Sequence, residues 1–337
     1  MAAVYTTYKL HCSNSKRIFY SSSQIYLLEG QTNFMTIVIL SRASCSLSEC
    51  IYVYMVAMAT ADLLVLNINV IVYHIFNYHF PLSFLSQTPV CTFILYIATV
   101  NIDLSVWFTV SFTFDRFVVI CCQRFKTNYC TKRTAVTVII TFSVLILLKN
   151  IPILFVYEAQ QIINNMQWGC RPSVAFFASP PGAAYFWFHT VWVVWLPFAL
   201  IALCNSLTIR RIFVANRVRR RLRGHSSEKQ CDAETENRVK SIILLFTISG
   251  SFILLWLTAV ISFLTTGLTN VSYYRGDRTS PAYIATETGI MMKLLSSCLN
   301  PFIYAATQRK FREVLKKMLT SPWILILRCV NNERNTN

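Results

Sequence analysis

Several polar side chains lie inside long apolar stretches, where they are the groups best placed to do chemistry. Asp62 is central in its stretch. Asn101 and Ser105 are four residues apart, so a helix would carry them on one face; Ser297 and Asn300 follow in a later stretch. A carboxylate among hydroxyls and amides can hold a dehydrated sodium ion, or can form a hydrogen-bond network without an ion. Both interpretations remain open; no other metal and no organic cofactor is expected.

Four further ionisable residues lie in or near apolar stretches: Asp103, Lys149, Glu287 and Lys293. Lys293 could form an ion pair with Asp62 or Asp103, or it could bind an anionic ligand, and we favour the ion pair. Glu287 lies near the end of its stretch and is expected to face water.

These residues must be positioned by helices that cross a membrane. The chain is 55% hydrophobic and 13% charged, whereas soluble domains carry about 25% charged residues. Stretches of about 20 apolar residues can cross about 30 Å of hydrocarbon. Seven such stretches occur, at 19–40, 51–75, 91–122, 134–156, 185–213, 239–265 and 282–306. The sequence therefore predicts an all-α bundle of seven transmembrane helices, with an unusually polar outer half in the first.

The distribution of Lys and Arg gives the orientation. With the N-terminus outside, cytoplasmic segments hold 22 of the 31 basic residues, as expected from the positive-inside rule. This predicts an extracellular segment at 1–18, the bundle at 19–306, and an amphipathic eighth helix with a cytoplasmic tail at 307–337. The net charge of +17 does not indicate nucleic acid, since the basic residues lie between apolar spans. The basic run at 217–221 is expected to contact anionic membrane lipids; the alternative is direct contact with the partner protein.

This orientation also sorts the 12 cysteines. Only Cys12, Cys91 and Cys170 lie outside, where a disulfide can form. A bridge between Cys91 and Cys170 would hold an outer loop over the mouth of the bundle; the alternative is two free thiols. Two modification sites have the appropriate sidedness: Asn270, in an Asn-Val-Ser sequon of an outer loop, for a glycan, and Cys329 for palmitate.

Several separated motifs together resemble the rhodopsin-like (class A) G-protein-coupled receptors. Asp115-Arg116-Phe117 ends the third span, and Asn300-Pro301-Phe302-Ile303-Tyr304 lies in the seventh. The resemblance extends to Asp62, Pro197, Phe252, Trp256 and Phe311. Within the family, the stretches at 105–109 and 149–152 resemble the orphan branch that responds to aromatic amino acids and small peptides.

The resemblance implies a plasma-membrane receptor, not an enzyme, that transmits binding of an extracellular ligand to a heterotrimeric G protein. It assigns coupling to Asp115, Arg116, Asn300, Pro301 and Tyr304. Asp115 would hold Arg116 at rest by a charge-assisted pair, and Tyr304 would support the open state. Repacking would involve an activation core: Val106, Pro197, Phe252 and Trp256.

The chain departs from the family pattern at four places. The fourth span lacks tryptophan, Trp256 is followed by Leu257-Thr258 without the usual proline, and Asn205 replaces an expected tyrosine. Arg238 stands where many relatives have a glutamate that pairs with the span-three arginine. Because that lock cannot form, we expect raised basal signalling.

The same resemblance indicates which classes of ligand are expected. Ala98 occupies the place of the amine-binding aspartate, and Leu294 that of the retinal lysine, so amines and retinal are not expected. Ala98, Thr99, His189, Trp256 and Phe263 are expected to line a pocket for a small aromatic or peptide-like ligand. The alternative is that the aromatic residues around His189 anchor the helix at the membrane interface.

Three other classes of protein are alternatives to a signalling receptor. A hydrolase motif such as Gly-x-Ser-x-Gly or His-Glu-x-x-His is absent from the sequence. A transporter should show a duplicated pattern of spans, which we do not find. A decoy receptor that does not signal is the stronger alternative, since the first span and Thr258 are atypical.

Overall fold

The computed structural model describes residues 30–41, 49–76, 80, 82–122, 129–222, 232–269, 281–309, 311–318 and 320. Seven helices form the bundle in the described part of the chain. Helix α1 spans 30–41, and α2 spans Glu49–Val65 and continues as a π-helix at Leu66–Phe76. Helix α3 spans Thr88–Cys121, α4 Lys132–Asn150, α6 Asp232–Thr269 and α7 Pro281–Thr307. Helix α5 comprises Pro180–Thr190, a π-helical turn at Val191–Trp195, and Leu196–Leu222. A short α8 follows at 311–318.

Five segments of the described chain are long and apolar enough to cross a membrane: Cys50–Asn69, Thr88–Cys121, Lys132–Val156, Pro180–Ala215 and Ile242–Ile261. The all-α fold predicted from the sequence is confirmed. Helices α5 and α6 extend beyond the predicted spans because their polar ends remain helical outside the apolar section. The outer part of the predicted first span, 19–29, lies outside the described residues.

Local sequence accounts for several helix starts. Thr131 precedes α4, and its hydroxyl accepts a hydrogen bond from the Thr134 backbone nitrogen at 3.2 Å. Ser179 caps α5 in the same way, accepting from the Gly182 nitrogen at 3.3 Å. Prolines occupy the first turns of α3 and α5, where their missing N–H groups cost nothing.

Proline also explains where the long helices become irregular. The π-helical turn at Val191–Trp195 ends two residues before Pro197, and such turns re-route the hydrogen bonds that a proline interrupts. Helix α6, by contrast, has no proline after Trp256 and runs as one α-helix from Asp232 to Thr269. The family kink therefore has no sequence cause in α6.

The loop between α4 and α5 contains β structure that the sequence reasoning missed. Strand β1, Tyr157–Glu158, pairs with β4, Arg171–Pro172, and β2, Gln161–Ile163, pairs with β3, Met166–Trp168. Asn164 and Asn165 turn the inner ribbon with φ of 50° and 59°. Asparagine tolerates this left-handed conformation, so the Asn-Asn pair was a readable hairpin signal.

A disulfide bond joins this loop to the outer end of α3. Cys91 and Cys170 are bonded with their Cα atoms 6.0 Å apart, which confirms the predicted bridge and rules out the free-thiol alternative. The Thr88 hydroxyl adds a hydrogen bond to the Gly169 carbonyl at 2.8 Å. The loop is thus held at the outer mouth of the bundle.

Two apolar clusters fill most of the described interior. The inner one joins every helix except α5 and includes Tyr54, Phe112, Leu244, Tyr304 and Phe311. The second joins α3 to α4, α5 and α6 and includes Trp107, Ile146, Val193, Phe252 and Trp256.

Trp107 of α3 packs between aromatic residues of α4 and α5. Its ring stacks on Phe142 of α4 with the centroids 4.9 Å apart. On its other side it contacts Trp192 of α5 at 4.8 Å. Trp107 thus joins α3 to α4 and α5 through aromatic contacts.

Candidate functional site

Asp62 lies at the centre of a polar network where α2, α3 and α7 meet. Its carboxylate is fully buried and accepts a hydrogen bond from the Ser105 hydroxyl at 2.6 Å and another from the Asn300 amide at 2.8 Å. The Ser297 hydroxyl also interacts with this carboxylate. The structure therefore brings together four of the five residues that the sequence placed in this network.

The remaining member, Asn101, is buried, but its amide nitrogen has no hydrogen-bond partner among the described residues. The structure adds Asn33 of α1 instead. The Asn33 side chain is fully buried and donates to the Ser297 carbonyl at 3.3 Å. Sequence reasoning missed Asn33, although an amide inside an apolar stretch is the same signal that identified Asp62.

At the cytoplasmic end of α3, Asp115 and Arg116 form a buried ion pair. Only 1% of the Asp115 side chain and 2% of the Arg116 side chain are exposed. The Arg116 Nε atom donates to one Asp115 carboxylate oxygen at 3.0 Å, while the Cys50 thiol donates to the other at 2.8 Å. The carboxylate thus uses both oxygens to hold groups at this end of the bundle.

Two thiols complete the surroundings of Arg116, and no pattern in the sequence indicated this. The guanidinium lies 3.6 Å from the Cys50 sulfur and 3.9 Å from the Cys130 sulfur. Cys130 belongs to the loop before α4. The pKa of its thiol is lowered, first by its interaction with the Cys50 side chain and also by the positive charge of Arg116.

Tyr304 and Phe311 connect α7 to α8. Tyr304 is fully buried, and its ring lies edge-on to that of Phe311 with the centroids 6.1 Å apart. The Tyr304 hydroxyl has no hydrogen-bond partner in the described part of the chain. Pro301 lies within α7, one turn before Tyr304. The hydroxyl is therefore available for a new contact if the inner cleft opens.

The four residues of the activation core lie in the interior of the bundle. Phe252 packs on Trp256 at 5.1 Å between ring centroids, and Phe198 of α5 contacts Phe252 at 5.8 Å. Val106 is fully buried, and Pro197 is also buried.

A neutral hydrogen bond joins the inner halves of α5 and α6. The Asn205 amide, which replaces the expected tyrosine, donates to the Ser249 hydroxyl at 2.8 Å. The Arg238 side chain lies outside the described residues. Asn205 and Ser249 therefore supply a contact that would have to break if α6 moves away from α5.

A second charged cluster lies closer to the outer surface. Lys149 of α4 forms an ion pair with Asp103 of α3 at 2.6 Å, and the Asn150 amide donates to the same oxygen at 2.8 Å. The Lys149 Nζ atom is 3.0 Å from Nδ1 of His189. Asp103 therefore pairs with Lys149, whereas the ammonium of Lys293 lies 6.0 Å above the Trp256 ring.

The residues predicted to bind ligand are not joined by hydrogen bonds among the described residues. His189 lies beside Lys149 and Tyr185. Ala98 is buried, and the Thr99 hydroxyl bonds to the Leu95 carbonyl of its own helix at 2.9 Å. Three predicted features lie outside the description: the side chain of Phe263, the sequon at Asn270 and the palmitate site at Cys329.

Comparison with known families agrees with this architecture. A family model described as "7 transmembrane receptor (rhodopsin family)" matches residues 32–304, which is most of the chain. The chain therefore belongs to the rhodopsin family of seven-transmembrane receptors. This makes it a multi-pass membrane protein of a signalling family, and family membership implies in general an extracellular ligand and a G-protein partner.

Proposed function

We propose that this receptor acts at the plasma membrane, where an extracellular small aromatic or peptide-like ligand promotes nucleotide exchange on a heterotrimeric G protein. The observation that carries the proposal is the buried Asp115–Arg116 pair at the inner end of α3. An arginine held by its own neighbour in the chain can be released without separating two helices. A charged partner at the cytoplasmic face can then bind it.

Activation requires two packings of the bundle that lie close in free energy. In the described state Phe252, Trp256 and Phe198 link α5 and α6 at mid-depth, and Asn205 bonds to Ser249 nearer the cytosol. A ligand that repacks the aromatic residues would favour loss of the lower contact. Outward movement of α6 would then uncover Arg116, and Tyr304 would support the open cleft.

The proposed ligand pocket lies toward the outer side of Trp256 and includes His189 and Thr99. His189 is partly buried beside Lys149, so it offers a ligand a hydrogen-bonding group among aromatic rings. Aromatic rings give a ligand large contact area with defined geometry. This combination supports a small ligand with one aromatic group and one hydrogen-bonding group.

Substitution of His189 tests this pocket. His189→Ala is expected to raise the agonist concentration for half-maximal response by about 10-fold, because one hydrogen bond to a ligand contributes about 1.5 kcal/mol. Trp187→Ala is the control, since that side chain is 52% exposed on the same helix. Unchanged agonist potency in His189→Ala at matched surface expression would remove His189 from the proposed pocket.

We also propose that the Asp62 network holds a sodium ion in the resting receptor. The chemistry of the site fits a hard cation, since the Asp62 carboxylate and the Ser105 hydroxyl offer oxygens close together. A bound cation would offset the buried carboxylate charge and favour the compact packing. Agonist affinity should then fall as sodium replaces a larger cation, and this dependence should be lost in Asp62→Asn.

Nucleotide exchange without agonist separates the signalling receptor from the decoy. We expect basal exchange on a panel of G proteins to exceed that of membranes without receptor, because Arg238 cannot pair with Arg116 as a glutamate would. The control is Arg116→Ala at equal surface expression, which should abolish the excess. If nucleotide exchange equals that measured in membranes without receptor, both with and without ligands from a chemical library, the decoy is favoured.

A further inference from the structure

Three potential metal ligands surround Arg116 at the cytoplasmic end of the bundle. The Cys50 sulfur, the Cys130 sulfur and an Asp115 carboxylate oxygen all lie within 4.8 Å of one another. They come from the start of α2, the loop before α4 and the end of α3. Cys50 and Asp115 are buried and Cys130 is half-buried, so the loop side is the open side.

The chemistry of these three side chains indicates which metal ion they would bind. Two thiolates and one carboxylate suit Zn²⁺, whereas Mg²⁺ and Ca²⁺ prefer oxygen ligands alone. Tetrahedral Zn–S bonds of about 2.3 Å place two sulfurs about 3.8 Å apart. The present spacing of at most 4.8 Å lies within about 1 Å of that value. A water molecule would take the fourth position.

The charges also balance. In the described state, the Asp115 carboxylate and the Arg116 guanidinium cancel, and both thiols are neutral when protonated. Binding of Zn²⁺ releases one proton from each thiol, so two negative charges and two positive charges are added together. The cluster remains neutral, and the step involves no change of oxidation state.

Arg116 would stabilise such a site from outside the metal's ligand shell. Its guanidinium already contacts Asp115 and lies 3.6 and 3.9 Å from the two sulfurs. Hydrogen bonds of this kind to metal ligands strengthen metal binding by about 10- to 100-fold. By linkage, a metal that gains from Arg116 in this position must also hold Arg116 there.

We propose that Cys50, Asp115 and Cys130 form an inhibitory Zn²⁺ site that keeps Arg116 in its resting position. The regulatory part of this inference rests on the proposed function, because it requires that release of Arg116 leads to G-protein activation. Occupancy of the site lowers both basal and agonist-stimulated exchange. The metal enters from the cytosol, past the loop that carries Cys130.

Metal binding is tested first, with no need for signalling. Purified full-length receptor in lipid nanodiscs is titrated with Co²⁺, whose thiolate complexes absorb by charge transfer. One equivalent should give this absorption in the wild type, and Cys130→Ser should bind about 100-fold more weakly. Cys50→Ser should have the same effect. Cys121→Ser is the matched control, since Cys121 is a partly buried cysteine of α3 whose sulfur lies 3.9 Å from the Thr208 hydroxyl.

The results separate the site from other thiols of the chain. Absorption that persists in Cys50→Ser and Cys130→Ser, or that is lost equally in Cys121→Ser, overturns the proposed site. Cys130→His is a second test that does not depend on loss of binding, because imidazole is also a good zinc ligand. It should retain Zn²⁺ binding in competition with a chromophoric chelator, and loss of binding in a folded Cys130→His protein contradicts the geometry.

Exchange assays test the regulation. Buffered free Zn²⁺ should lower wild-type basal exchange about 10-fold when the site is filled. The ratio of exchange without and with Zn²⁺ should fall to about 1 in Cys130→Ser, remain high in Cys130→His, and be unaffected by Cys121→Ser. An equal ratio in the wild type and Cys130→Ser overturns the inhibitory role. A wild-type chain that binds Co²⁺ through both thiols but catalyses no exchange overturns the proposed function and supports the site.

Discussion

Helix α3 carries two buried aspartates, and they are paired in different ways. Asp103 and Asp115 are twelve residues apart, or about 18 Å along the helix. Asp103 pairs with Lys149 of α4, whereas Asp115 pairs with Arg116, the next residue of its own helix. In both pairs, neither side chain is more than 6% exposed.

The role of each pair depends on whether its cationic residue lies on another helix or on α3 itself. The Asp103–Lys149 pair joins two helices, and Asn150 and His189 tie it to α4 and α5, so breaking it would separate packed segments. The Asp115–Arg116 pair is formed by two neighbours in the chain, so it does not by itself join α3 to another helix. Its other hydrogen-bond partners among the described residues are thiols, which form weak hydrogen bonds. The outer pair is therefore suited to fixing the bundle and the inner pair to switching.

The largest expected effect comes from breaking the outer pair. Lys149→Met leaves Asp103 buried without its cation, which should destabilise the receptor by about 3–5 kcal/mol. Thermal unfolding of the purified protein and surface expression in cells should both fall sharply. A variant as stable as the wild type would contradict the structural role assigned to this pair.

A double substitution controls for the size and shape of the side chain. Asp103→Leu with Lys149→Met removes both charges, and replacement of a buried ion pair by apolar residues is often neutral or stabilising. The double variant should therefore recover most of the lost stability. If it remains as unstable as Lys149→Met alone, the loss arises from packing and not from the unpaired charge.

Breaking the inner pair should have a smaller effect on stability and a larger one on signalling. Asp115→Asn removes the charge-assisted contact, which contributes about 1.5–3 kcal/mol, and so should raise basal exchange by about 10-fold. Arg116 can turn toward the cytosol when released, so the fold should be retained. Basal exchange is measured at matched surface expression; a variant that unfolds like Lys149→Met would erase the contrast between the pairs.

The smallest effect tests whether a neutral contact between helices also restrains the switch. Ser249→Ala removes the hydrogen bond from Asn205, worth about 1 kcal/mol, and should raise basal exchange by about 5-fold with little loss of stability. Thr247→Ala is the control, because that exposed hydroxyl bonds only to the Ile243 carbonyl of its own helix. Equal exchange in both variants would show that α5 and α6 are not restrained at this point.

Part of the candidate site could be predicted because polar groups inside apolar spans are conspicuous. Asp62, Ser105 and Asn300 were singled out on that ground, and they meet in the structure. Asn33 carries the same signal in the first span and was missed. The β ribbon at Gln161–Trp168 was also readable, since Asn164-Asn165 is a turn signal, but the expectation of an all-helical protein concealed it.

Other contacts had no signal in the chain. Lys293 was expected to neutralise Asp62 or Asp103, yet Lys149 pairs with Asp103, because the rotation of α4 about its axis decides which side chain points to α3. The meeting of Cys50 with Cys130 likewise depends on how a loop folds back on the start of α2. Neither hydropathy nor spacing contains that information.

The sequence by itself predicted seven spans and their orientation, because hydropathy and the positions of Lys and Arg act segment by segment. Only the tertiary structure decided which buried charges form pairs across helices and which remain within one helix. Those choices depend on the rotation and depth of each helix against its neighbours, and close packing of all the side chains sets them together.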